Sequence, residues 1–313
     1  MPPNALQNTL PTSLVVVGSV AYDGVETPHG KVDRMLGGAA TYIALAAAYF
    51  TRVKIVAVVG DDFAQEDLDL LASRNIGLQG LERVPGGKTF FWAGKYSPDM
   101  NDRTTLRTDL NVFAGFNPKL PESYRSEPYL LLGNIQPALQ RSVRAQMPRV
   151  KLAGGDTMNY WINDFRGELL ETLKEWDFLL INDSEARLLS GCHNLRRAAA
   201  KILEMGPRAL VIKRGEYGAV LFCRGRHFMA PGYLLEDVFD PTGAGDCFAG
   251  GFIGYLAGQG VDAADFAELR RAVIYGSVMG SFCCEQFGVD RFRTLTREEI
   301  EARYQEFRTC TAF

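Results

Sequence analysis

Short runs of aliphatic and β-branched residues alternate with longer helical stretches along most of the chain. LVVVG (14–18), VKIVAVVG (53–60), YLLLGNI (129–135), KLAGGD (151–156), WDFLLIN (176–182) and RALVIKRG (208–215) are apolar on neighbouring residues rather than every second one. That pattern belongs to strands buried on both faces. Between them, GGAATYIALAAAYF (37–50) is helix-forming, and FAQEDLDLLASRN (63–75) places apolar residues at 63, 64, 68, 71 and 72, close to helical spacing. DFRGELLETLKE, SEARLLSG and NLRRAAAKILEMG supply further helices. The βαβα alternation predicts the α/β class, with a mostly parallel central sheet covered by helices on both faces in three layers. No repeat, low-complexity tract or linker divides the chain, so residues 1–313 read as one domain.

One region breaks the alternation. KTFFWAGKYSPDMNDRTTLRT (88–108) holds two β-rich runs around the polar turn SPDMND, a hairpin signal. The stretch 20–36 after the first strand is also polar and not helical. Together, about 20–36 and 88–110 predict a small accessory sheet. It reads either as an ordinary surface hairpin or as a lid, because open α/β sheets bind ligands at their strand C-termini and lids exclude water there. Phe90, Phe91, Trp92 and Tyr96 would then form a ring-stacking wall or a homodimer contact, and strand alternation lets only one set face the pocket.

Composition removes other classes. With 34 basic and 37 acidic residues the net charge is −3, which gives no electrostatic reason to expect nucleic acid or an anionic membrane as partner. No run approaches the ~20 apolar residues of a membrane helix. MPPNALQNTLPTS lacks the basic start and apolar run of a signal peptide and reads as a short disordered leader. The six cysteines show no CxxC spacing and the three histidines are scattered, so reduced thiols in the cytoplasm are expected and zinc chemistry is not. Gly87-Lys88-Thr89 imitates a phosphate loop but has no glycine near Arg83 to complete it. VVVGSVAYDG lacks GxGxxG, so no dinucleotide site is supported.

Glycine is in surplus, 32 of 313 residues, and seven of them fall between 243 and 260 in DPTGAGDCFAGGFIGYLAGQG. A strand-like LLEDVF leads into a Pro-Thr-Gly turn and then a helical pattern from about Ala244. Unpaired amides at a helix N-terminus, with Gly243, Ala244 and Gly245 allowing close approach, make a phosphate or oxyanion site. Asp246 in that first turn suits the helix dipole but repels a phosphate. It makes chemical sense as a general base for a hydroxyl that attacks the phosphate. It also reads as a plain capping aspartate on a tight turn.

DPTGAGDCFAGGF resembles the C-terminal signature of the ribokinase-like (PfkB) family of carbohydrate and nucleoside kinases, and other landmarks follow in that family's order across about 14–300. Gly37-Gly38 is similar to its N-terminal double glycine. Asn182 and Glu185, in INDSEARLLSG, resemble the NxxE motif near magnesium and phosphate. Lys213, Gly215 and Gly218, in KRGEYG, resemble the hairpin beside ATP.

The resemblance implies a ribokinase-like fold with a β lid, and an ATP-dependent kinase that phosphorylates a hydroxyl of a small sugar, nucleoside or cyclitol. Asp246 would deprotonate that hydroxyl while the Gly243–Asp246 amides stabilise the transferred γ-phosphoryl, since positioning and electrostatics dominate such transfers. Asn182 and Glu185 would act on Mg²⁺ through water, or simply cap their helix. Asp23 would take acceptor hydroxyls beside Gly37 and Gly38, or stand as a solvated surface aspartate. Lys213 and Gly215 would contact the nucleotide, or only form a turn. Ser277 and Gly288 match positions lining the adenine pocket, and Asp240 and Thr242 match a monovalent-cation loop that makes K⁺ a candidate. Two positions depart from the pattern. Tyr42 stands where many sugar kinases have a sugar-contacting asparagine, and Phe292 where a serine cation ligand often sits. A non-catalytic nucleotide- or metabolite-binding protein on the same fold is the alternative.

Overall fold

The computed structural model describes residues 12–261 and 265–312. The expected N-terminal leader lies almost wholly outside the described residues. The strands are β1 (Ser13–Val17), β2 (Ala21–Thr27), β3 (Gly30–Gly37), β4 (Arg52–Gly60), β5 (Ile76–Val84), β6 (Phe90–Tyr96), β7 (Arg103–Asp109), β8 (Tyr129–Leu132), β9 (Leu152–Gly155), β10 (Phe178–Asn182), β11 (Ala209–Lys213), β12 (Ala219–Cys223) and β13 (Arg226–Ala230). Nine of them form the main sheet in the order β13-β12-β11-β10-β9-β8-β1-β4-β5. Its pairs from β11 through β5 are parallel, and β12 and β13 close one end as an antiparallel hairpin.

Apolar side chains on successive residues are sorted to opposite faces. Leu14 and Val16 enter one core with the helices Ala39–Ala47, Ala244–Gln259 and Phe266–Cys283. Val15 and Val17 enter the other with the helices Pro137–Ala145, Arg166–Leu173, Asp183–Ser190 and Leu195–Glu204. This is why the strand runs carry no polar face: helices cover both sides.

The predicted accessory sheet is present, with strand order β3-β2-β6-β7. Its outer pairs are antiparallel hairpins, while β2 and β6 pair parallel, from Ala21 opposite Phe90 to Glu26 opposite Lys95. One expectation fails locally. LLEDVF (234–239) is irregular, not strand, and Leu234 is 91% exposed. Its apolar residues have no sheet neighbour to bury them, so the pattern alone could not make a strand.

Candidate active site

The C-terminal ends of β1, β8, β9, β10 and β11 meet the N-termini of two helices and the inner face of the small sheet. Gly243 is the N-cap of the helix Ala244–Gln259, in the left-handed region at φ 77°, and no side chain caps that helix. The Ala244 N–H donates to the Pro241 carbonyl at 3.1 Å, while the amides of Gly245 and Asp246 have no side-chain cap and present partial positive charge. A Cβ on Gly243 would strike the flat of the Tyr42 ring. Glycine is needed there for both its φ and its contact.

Tyr42, a substrate-side candidate from the sequence, lies between Gly243 and Asp23. It is 1% exposed; its ring underlies Gly243 and its carbonyl takes the Cys247 thiol at 3.8 Å. Its hydroxyl is buried and acts on the Asp23 carboxylate. The ring thus backs the Gly243 turn while its phenol acts on Asp23. Phe292 is likewise fully buried, and its carbonyl accepts the Tyr49 hydroxyl at 3.3 Å.

Asp246, half-buried on the first turn, has its carboxyl pushed up by burial, while the Lys213 and Arg103 charges pull it back down. Lys213, at the end of β11, donates to the Gly245 carbonyl at 3.5 Å. Asp23, in β2, is 5% exposed. Burial foremost, then the charges of Asp240 and Asp246, push it up to about 7, opposed by the Gly38 amide and the Tyr42 phenol. Any side chain at Gly37 would collide with the Asp23 carboxylate. The double glycine is thus the space in which that carboxylate lies.

Asn182 and Glu185 realise the capping reading in full. Asn182 Oδ1 accepts the Glu185 N–H at 2.8 Å, and Glu185 Oε2 accepts the Asn182 N–H at 2.8 Å. Glu185 retains its second oxygen, and the Lys213 charge partly offsets the upward push of burial on its carboxyl. Gly215 (φ 55°) and Gly218 (φ 82°) shape the turn from β11 into β12. The lid reaches this turn: Asn101 Nδ2 donates to Glu216 Oε1 at 3.4 Å. It also reaches the anion-binding turn, where Thr242 Oγ1 donates to Tyr96 Oη at 3.1 Å.

Asp240 is fully buried, and its two oxygens accept the amides of Thr242 (2.9 Å) and Gly288 (3.0 Å). Gly288 packs under Met35 of β3. Ser277 spends its hydroxyl on the Val273 carbonyl of its own helix at 3.1 Å. Two open clefts, of about 370 and 270 Å³, hold none of these residues. Converging groups, not hollow volume, mark this site.

Sequence reasoning passed over Asp156, Asn134 and Arg103. Asp156, just after β9, has Oδ1 buried without a partner among the described residues, and the charges of Asp246, Lys213 and Glu185 all act on it. Its signal was available: it follows a buried strand at the sheet edge where ligands collect, as Asn134 does after β8.

Residues 11–294 match the profile of the pfkB family carbohydrate kinases. The chain belongs to that family. It is an ATP-dependent sugar or nucleoside kinase, a phosphotransferase with a hydroxyl acceptor. Similar to it are the cytidine kinase of Thermococcus kodakarensis, 31% identical over 264 residues (83% of this chain, 94% of that protein), and the 2-dehydro-3-deoxygluconokinase of Thermoproteus tenax, 25% identical over 277 residues (77% and 79%). The fold is shared with the nucleoside kinase of Methanocaldococcus jannaschii, with TM-score 0.76, 20% identity and coverage of 94% of this chain and 98% of that one. A Burkholderia thailandensis nucleoside kinase solved with inosine gives TM-score 0.74 and 22% identity at the same coverage. This family's ribokinase fold carries the small sheet as its lid. No described helix is long and apolar enough to cross a membrane.

Proposed function

We propose that Asp246 is the general base of the transfer. The observation that carries this is a carboxylate on the first turn of an uncapped helix whose amides face the same space. Asp246 takes the acceptor hydroxyl's proton as that oxygen bonds to the γ-phosphorus; the bond to the β-phosphate breaks and ADP leaves. The amides of Gly243–Asp246 and the Lys213 ammonium meet the negative charge of the transferring group. Asp23, whose carboxylate lies against Gly37, accepts hydrogen bonds from other acceptor hydroxyls.

Asp246, Asp156 and Glu185 share the field of one lysine, Lys213. This excess of carboxylate fits a divalent cation, and Mg²⁺ would supply charge neutralisation for the phosphates. Asn182 and Glu185 would hold it through water, using the oxygens the capping box leaves over. Asp240 and Thr242 are proposed for K⁺ as an accessory only, because amides already hold Asp240. Turnover is expected to persist when K⁺ is replaced by a bulky organic cation. Gly215, Gly218, Ser277 and Gly288 are proposed on the nucleotide side. The exposed edge strand β7, with Leu106 uncovered, is the face a second copy would use, and the light-scattering mass reads this. The cytidine kinase relative favours a nucleoside acceptor.

The test is Asp246→Asn. Its kcat is expected to fall by at least about 10² with ATP binding retained in calorimetry. Near-normal turnover would sink the assignment of Asp246 as the base, whereas nucleotide binding by the wild type with no phosphorylated product from any alcohol would favour a non-catalytic binding protein.

A further inference from the structure

At the C-terminal ends of β8 and β9, Asn134 and the segment 156–161 stand side by side. The fully buried Gln140 ties them, donating to the carbonyls of Gly133 (2.9 Å) and Asp156 (3.1 Å). Gly133 packs close to Ala39, next to the double glycine: a Cβ there would meet the Ala39 Cβ at 3.4 Å. Asn134, the next residue, therefore stands at the strand C-termini on the side of the double glycine.

The Trp161 indole N–H donates to Asn134 Oδ1 at 2.7 Å. Indole nitrogen can only donate, so this bond identifies the amide oxygen and turns the NH₂ group the other way. That Nδ2 lies 3.0 Å from the Met158 sulfur, a weak acceptor that a carbonyl or ring nitrogen outcompetes. Trp161 forms a three-ring cluster with Tyr160 (4.8 Å) and Phe165 (5.3 Å), which are 5.5 Å from each other, and Tyr160 is exposed. An oriented amide donor beside exposed aromatic surface matches a flat heterocycle with hydrogen-bond acceptors. A free sugar lacks the π face that pairs with exposed aromatic rings in offset or edge-to-face geometry.

We propose that Asn134, with its amide plane set by Trp161, is a specificity-determining residue that donates to an acceptor atom on the base of a nucleoside. The proposal rests on the kinase reading above and deepens it. Asp23 takes ribose hydroxyls; Asn134 reads the base. Trp161 is a positioning residue.

The experiment compares four nucleosides (cytidine, uridine, adenosine, inosine) with methyl β-D-riboside, which keeps the sugar and lacks the base. For the preferred nucleoside, Asn134→Asp and Asn134→Ala are expected to lower kcat/KM by about tenfold or more, with the methyl riboside value changed by less than about twofold. Trp161→Phe frees the amide and is expected to raise the nucleoside KM with kcat retained. Equal losses on both acceptor types, no loss on the nucleoside, or a wild type with no preference for any nucleoside over methyl riboside would overturn the proposal. If Asn134→Asp does not fold, Trp161→Phe carries the same comparison. Failure of the kinase reading is separate: no alcohol yields product. Calorimetric nucleoside binding then decides, with binding lost in Asn134→Asp as support and no binding by the wild type as refutation.

Discussion

A carboxyl enclosed as Asp23 is, beside two other aspartates, keeps its proton to about pH 7, far above the usual carboxylate range. An acceptor hydroxyl that donates to it needs the charged form. Protonation therefore competes with acceptor binding, and the acceptor KM is expected to rise toward tenfold per pH unit as pH falls below about 7. Asp23→Asn flattens that profile and raises KM at pH 8; an acceptor KM independent of pH in the wild type would contradict the assignment. Single residues such as Asp246 and Gly37 were legible in the sequence because their types fit few other purposes. The placement of Tyr42 was not: its ring backs Gly243 while its phenol acts on Asp23, and only the packing of the helix Ala39–Ala47 against Ala244–Gln259 sets that.

The segment from β10 into the helix Asp183–Ser190 shows one motif doing two jobs. Asn182 and Glu185 close the helix N-terminus reciprocally and still leave acceptor capacity toward Lys213. Asn182→Ala should lower stability by about 1 kcal/mol in metal-free denaturation and separately raise the Mg²⁺ concentration needed for half-maximal rate. A stability loss with an unchanged Mg²⁺ requirement would assign the pair to capping alone. Buried strands were readable because a two-sided core demands continuous apolar runs. β5 was missed: its sequence, IGLQGLERV, has one covered side and an edge position, so polar residues interrupt it. LLEDVF erred in the opposite direction, an apolar run with nothing to pair against.

Across the whole molecule, the lid acts on chemistry it does not contain. The charge of Arg103, at the start of β7, lowers the proton affinity of both Asp246 and Glu185. Arg103→Ala should raise the Asp246 pKa and move the acid limb of the kcat profile to higher pH; an unmoved limb would remove Arg103 from the site. The α/β class and the existence of two β-rich interruptions were legible from periodicity. Their union into one sheet was expected too, but not its parallel β2–β6 seam, because a pairing across the 62 residues between Thr27 and Phe90 leaves no local pattern. That union has a consequence for how the protein is made. Ala21 meets Phe90 in a parallel pairing, so the two hairpins cannot join until β4, β5 and the helices between have compacted and brought them together. The lid is thus expected to form after the β1–β4 pair. Its central amides, at β2 and β6, should gain protection in pulsed hydrogen exchange after those of β1 and β4, and a nascent chain released before residue 96 would have Asp23 with its strand unpaired on the β6 side.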